Sequence, residues 1–233
     1  GGTAEEVENQ IRRIRCLIEG REEVDATPAS FCFPVTSWCN YNCLMCHCGE
    51  EGLASDERPA AFYEALEPWI RGGVRMDVNG GEPLSSRPFR DFVESLARSG
   101  RPPLLSMTTN ASFLTPGWLE RLPRIPFDSL LVSLNAATPE TYLAVNRGLA
   151  WDAIRRNLDV LLRSRAEGRF PGGLTYGMVL LKRNVAEVRA FADLALKDGV
   201  NVRFLLPNRD RNGQSIMTDP EAMTEALASL EEV

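Results

Sequence analysis

Six strand-like apolar runs separated by amphipathic helical stripes constrain this 233-residue chain more than any other feature. The runs are Phe31 to Val35, Val74 to Val78, Leu104 to Thr108, Leu130 to Leu134, Tyr176 to Leu181 and Val202 to Leu206. Most are continuously apolar, the pattern of strands covered on both faces. Between them, Phe62, Ala65, Leu66 and Trp69 form one helical stripe, and Phe89, Phe92, Val93 and Leu96 a second. Trp151, Ile154, Leu158 and Leu161 form a third, and Val188, Phe191, Ala192 and Ala195 a fourth. Gly72, Gly100 and Gly199 stand where these helices are expected to stop. Thr115-Pro116 and Thr138-Pro139 each set an N-cap before a first-turn proline, the former opening a helix through Trp118 and Leu122. Strands alternating with helices imply a parallel sheet, and right-handed crossovers curl six such units toward a barrel short of closure. The expected class is α/β, a partial (β/α)6 barrel with an N-terminal helix. An open doubly wound sheet is the alternative that periodicity leaves standing.

Residues 30–207 form the expected core. Residues 1–29 read as an N-terminal helical extension, with Ile11, Ile14, Leu17 and Ile18 at helical spacing inside Glu5 to Arg21 and expected to pack against the barrel. Residues 208–233 read as a linker and a final helix, opened by a capping box of Thr218 and Glu221. That helix runs to Val233, as it would in a piece of a longer protein or at a native terminus. A hydrophobic content of 44% and a charged content of 25% are ordinary for a globular chain. The net charge of −6 disfavours a sequence-independent nucleic-acid platform. With no apolar run of membrane-spanning length and no signal-peptide pattern, the expectation is a cytoplasmic protein acting on a peptide or small molecule.

Cys39, Cys43 and Cys46 fall within eight residues, CNYNCLMC, on the loop after the first expected strand. Barrels of this class carry their chemistry on such loops. The spacing suits one four-iron, four-sulfur cluster, which normally takes four thiolates; three leave one iron open to bind and polarise a small molecule. A reducing cytoplasm keeps the thiols available. Cys16 and Cys32 read as buried small hydrophobes and Cys48 as a spectator thiol. The single histidine, His47, reads as a surface residue, with tuning of the neighbouring cluster as the alternative. A different class of protein stays open: a non-catalytic zinc binder using Cys39, Cys43, Cys46 and Cys48.

Three segments resemble the radical S-adenosylmethionine (SAM) superfamily: the CX3CX2C loop, Asn79-Gly80-Gly81-Glu82-Pro83 after the second strand, and VSLNAATPETYLAVNRG from Val132 to Gly148. The resemblance spans about Ser30 to Pro207 and implies the partial barrel, one 4Fe-4S cluster on Cys39, Cys43 and Cys46, and SAM on the open iron. It implies reductive cleavage of SAM to methionine and a 5′-deoxyadenosyl radical that abstracts a substrate hydrogen, fed by a low-potential electron donor such as flavodoxin or ferredoxin. Reversible use of SAM is the alternative within the family. By the same resemblance, Gly80 and Gly81 let the backbone approach the ligand, and Glu82 or a neighbouring carbonyl accepts from the SAM ammonium. Ser133 would contact the ribose region and Arg147 the SAM carboxylate. Asn135 stands where many relatives have Asp. Thr108, Thr109 and Asn110 resemble a Thr-Asn-Gly motif with Ala111 for glycine, lining the SAM or substrate pocket. Adenine would lie among apolar groups around Leu180 and Leu205. Met45 replaces an aromatic residue often found before the third ligand. Peptide-modifying relatives of the SPASM or twitch lineage carry auxiliary clusters on a cysteine-rich extension, and no cysteine follows Cys48 here. Lys182, Arg183, Arg209 and Arg211 follow the fifth and sixth strands, where a barrel gathers them near the mouth, either as a lure for an acidic substrate or as a solvated rim. No residue stands out as a hydrogen-atom donor or base.

Overall fold

The computed structural model describes residues 4–48, 56–70, 75–98, 102–120, 127–170 and 172–231. All six expected runs become strands: β1 (Ser30–Pro34), β2 (Arg75–Asn79), β3 (Leu104–Thr109), β4 (Phe127–Ser133), β5 (Gly173–Val179) and β6 (Asn201–Leu205). Every pairing is parallel, and the spatial order β1-β2-β3-β4-β5-β6 repeats the chain order. A doubly wound sheet reverses its strand order at a switch point. An order without reversal keeps right-handed crossovers on one face, so the sheet curls as a barrel wall. Because β1 and β6 are the two ends of the order, the barrel stays open between them.

The helices are α1 (Ala4–Ile18), α2 (Ala60–Ile70), α3 (Arg87–Arg98), α4 (Pro116–Leu119), α5 (Pro139–Asn146), α6 (Trp151–Ala166), α7 (Val188–Lys197) and α8 (Pro220–Glu231). Pro116 and Pro139 occupy first-turn positions, and the Thr138 hydroxyl accepts the Thr141 amide as expected of an N-cap. Gly199, with φ +63°, follows α7 in the left-handed conformation that ends helices cheaply. Val74, Gly72, Gly100, Leu122 and Val233 lie outside the described residues.

The expectation of strands buried on both faces is corrected. Met76 and Val78 on β2, Leu130 and Val132 on β4, and Leu174, Tyr176 and Met178 on β5 are buried in the main core with the helices. The alternate positions, such as Cys32, Asp77, Ser129, Thr175 and Arg203, are exposed or half-buried. One face of the sheet therefore packs in the core, while the concave face is exposed or half-buried at these positions. Cys32 consequently is exposed, not buried, because the end strand β1 turns it to that face; Cys16 is buried.

The N-terminal helix also departs from expectation. Asn9 bonds to Thr27 and the Cys16 thiol to Asp25, so α1 is held by its polar side. Val7, Ile11, Ile14, Leu17 and Ile18 face solvent, Leu17 at 83% exposure. The cap of α8 shifts by one residue: the Asp219 carboxylate accepts from the Glu221 and Ala222 amides, while the Thr218 hydroxyl bonds to Ser215 instead. Among the described residues, no helix is long and apolar enough to cross a membrane.

Candidate functional site

The cysteine loop leaves β1 and is clamped at four points. The Gly81 and Glu82 amides donate to the Thr36 and Trp38 carbonyls at 2.6 and 2.9 Å. A Cβ at Gly81 would sit 1.9 Å from the Trp38 oxygen, and one at Gly80, where φ is +120°, 2.4 Å from the Thr36 oxygen. Two glycines are needed here for close backbone approach to the loop. Tyr41, buried, shares a 3.0 Å hydrogen bond with the Tyr142 hydroxyl, and its ring fills the space where a Gly148 side chain would be. The Leu44 amide donates to the Val145 carbonyl at 2.7 Å, and Asn212 donates to the Leu44 carbonyl at 2.9 Å. Tyr41, Gly148 and Asn212 are absent from the residues that motif reasoning selects. Tyr41 and Gly148 lie inside the cysteine-loop and Val132 to Gly148 segments, whereas Asn212 lies outside every motif.

Glu82 is fully buried. One carboxylate oxygen accepts from the Thr109 hydroxyl at 2.8 Å and the Leu84 amide at 3.1 Å, the other from the Asn110 amide at 2.8 Å. Burial pushes this carboxyl up to about 7, against the pull of those three donors. Glu82 thus ties the turn after β2 to the end of β3. Thr109 is committed to the same bridge and accepts the Ala111 amide. Ala111, at φ +64°, takes the left-handed conformation for which glycine is the usual choice.

Asn135, also left-handed at φ +61°, is buried and used at both ends of its amide. It accepts from the Val179 amide and donates to Asn146, whose own nitrogen donates to the Leu134 carbonyl. Asn184 donates to the Asn135 and Val179 carbonyls. These three asparagines lock the ends of β4 and β5 to the last residue of α5. Ser133, half-buried, ends β4 opposite Gly177. Leu180 is buried and joined to β6 through its amide on the Leu205 carbonyl, whereas Leu205 is half-buried.

Arg147 caps α5 at φ +50° and is exposed. It lines a cleft of about 460 Å³ with Leu44, Ala144, Lys182, Arg183, Asn212 and Gln214. Lys182 is ion-paired with Asp219 at 2.8 Å. The cleft therefore joins the cysteine loop to cations that follow β4 and β5 and to the neutral amides of Asn212 and Gln214 after β6.

All three loop thiols are half-buried and none is in a disulfide. Burial raises the Cys39 thiol and pushes Cys43 up to about 12, while a hydrogen bond from Cys48 brings Cys46 down to about 6. Cys43 and Cys46 share one turn, the Cys46 amide donating to the Cys43 carbonyl at 3.1 Å. The Cys39 sulfur accepts the Tyr41 amide and the Cys46 sulfur the Cys48 amide, each at 3.4 Å. Unbridged, adjacent thiols with peptide N–H groups on their sulfurs fit an iron–sulfur cluster. Among the described residues no three His, Cys, Asp or Glu side chains converge as a single-ion site requires. His47 is exposed, and Cys48 is buried.

The fold is shared with solved structures. Native anSMEcpe with bound AdoMet and Cp18Cys peptide aligns over 88% of this chain and 59% of that one, with a TM-score of 0.67 at 16% identity. Streptococcus suis SuiB bound to the precursor peptide SuiA aligns over 95% of this chain and 51% of that one, with a TM-score of 0.62 at 13% identity. Among curated proteins, GTP 3′,8-cyclase of Hydrogenovibrio crunogenus is 27% identical over 179 residues, 73% of this chain and 52% of the relative. The same enzyme of Heliobacterium modesticaldum is 30% identical over 177 residues, with the same coverage of each. The chain spans about half the length of the curated relatives it matches. The family model described as Radical SAM superfamily matches residues 33–195, from β1 through most of α7. The cysteine loop, its glycine clamp and strands β2 to β5 all fall inside that match, and the chain belongs to the radical SAM superfamily.

Proposed function

We propose that this chain holds one 4Fe-4S cluster on Cys39, Cys43 and Cys46 with SAM beside it, and that it abstracts hydrogen from a peptide or small-molecule substrate. The observation that carries this reading is the loop: three unbridged, half-buried thiols clamped at the C-terminal edge of the sheet beside a cationic cleft. When bound, the reduced cluster supplies the electron that cleaves the SAM sulfonium to methionine and a 5′-deoxyadenosyl radical. The chain's own residues bind and orient. Arg147 offers a planar fork to the SAM carboxylate. Ser133 offers a hydroxyl to the ribose, and Leu180 and Leu205 an apolar patch to adenine. Glu82, Thr109 and Asn135 line the SAM site and also hold its frame through the bonds they make within the protein. The ammonium is left to carbonyls of the Gly80–Gly81 turn.

The curated relatives are named for GTP, and two of the solved neighbours hold peptides. Arg183 in the cleft, beside Lys182 already paired with Asp219, favours a substrate with an anionic group, which either class can carry. A flavodoxin- or ferredoxin-like donor and a reducing cytoplasm complete the reading.

The test is anaerobic reconstitution with iron and sulfide, reduction, and electron paramagnetic resonance with and without SAM. The expected result is a reduced four-iron signal that SAM shifts and that Cys39→Ala abolishes. Stoichiometric zinc with no iron or sulfide, or a cluster indifferent to SAM, overturns the proposal. Methionine released in proportion to product separates consumption of SAM from its reversible use.

A further inference from the structure

The three thiols of the loop do not have equivalent neighbours. Cys39 accepts the Tyr41 amide and, at 3.7 Å, the side-chain nitrogen of Asn110, which enters from the end of β3. Cys46 accepts a peptide amide from its own loop. Cys43 faces the opposite polarity: its thiol donates to the Asn146 oxygen at 3.7 Å.

Neither asparagine is free to turn over. The Asn110 oxygen accepts the Ser112 amide at 2.9 Å and the Ser112 hydroxyl at 2.6 Å. A peptide N–H can only donate, so that end of the amide must be the oxygen and the NH2 end must face Cys39. Its second hydrogen is held by the Asn40 oxygen at 3.0 Å. Asn146 is fixed the other way, because its nitrogen donates to the Leu134 carbonyl, an acceptor only. Asn110 thus brings a side-chain N–H to one of the three ligand thiols.

Reduction adds negative charge to a cluster, and part of that charge resides on the ligand sulfurs. A hydrogen-bond donor on a sulfur stabilises the reduced form and raises the potential; an amide oxygen against a sulfur does the reverse. We propose that Asn110 sets the reduction potential of the cluster through Cys39, with Asn146 opposing it at Cys43. This rests on the cluster assignment made above and adds to it a role for Asn110 distinct from lining the SAM pocket.

The test is a redox titration of the reconstituted protein without SAM, following the reduced-cluster resonance. For Asn110→Ala the expected result is a reduced-to-oxidised ratio about tenfold lower at the potential where the wild type is half reduced, equivalent to about 59 mV for a one-electron couple. For Asn146→Ala the ratio rises. Opposite signs separate this role from simple loosening of the site, which would move both variants the same way. If Asn110→Ala takes up no cluster, Ser112→Ala removes one of the two bonds holding the amide and gives a smaller fall in the same direction. Wild-type protein that takes up no cluster overturns the assignment beneath. A loaded cluster whose potential stays put or rises in the Asn110 and Ser112 variants overturns this inference alone.

Discussion

Glu82 has no solvent access and three donors aimed at its two oxygens. Its carboxyl lies at about 7 in the fold against 4.5 for an unperturbed glutamate. The folded state therefore holds a proton that the unfolded state has released between these values. Stability falls as pH rises from about 4.5 to about 7, by on the order of 3 kcal/mol from this group, and the contribution levels off above. Urea unfolding at pH 5 and pH 8 measures the loss, and Glu82→Gln removes this pH dependence. The same variant turns an amide NH2 toward a backbone donor and lowers stability at pH 5 by about 1–3 kcal/mol. Gly81→Ala drives a methyl into the Trp38 carbonyl, which is itself held by the Glu82 amide. It is expected to cost about 2–3 kcal/mol and to lower the iron bound per chain after reconstitution, read by denaturation and iron assay. Which motif residues belong together was legible in the chain; which way they point was not. Glu82 and Asn135 stand out in the linear motif, whereas the partners that fix their side chains within the protein lie 27 and 44 residues away.

At the scale of elements, the strands and most of the helices appear close to where periodicity put them, since a helix stripe or an apolar run is a local property of the chain. Faces were harder to read. Continuous apolar runs hid the alternation along β2, β4 and β5, because half-buried residues on the concave face include apolar ones such as Leu131 and Val179. The α1 stripe is regular, yet its polar side is the one held, through Asn9 and Cys16, and its apolar side is exposed. Replacing both Ile11 and Ile14, each about half exposed, by lysine is expected to change unfolding stability by less than about 0.5 kcal/mol, as checked by urea titration. Had α1 packed by its isoleucines, the same change would cost several times more. The α8 cap moved one residue because Asp219, unlike Thr218, reaches two free amides while pairing with Lys182.

Across the whole molecule, the alternation of strands and helices determined a parallel α/β chain, and the spacing of Cys39, Cys43 and Cys46 determined a loop of three adjacent thiols; both follow from neighbours in sequence. Strand order was beyond reach of periodicity, since doubly wound and barrel-like sheets use the same βα units. Tertiary structure decided it, placing each strand beside the next without reversal and leaving β1 and β6 unpaired with one another. It also decided the surroundings of the thiols. Asn110 meets Cys39 across 71 residues, Asn146 meets Cys43 across 103, and Asn212 reaches Leu44 across 168. Local pattern sets what each segment can become, but polarity, burial and aim at a site are properties of contacts between segments, which exist only once the sheet has brought its strand ends together.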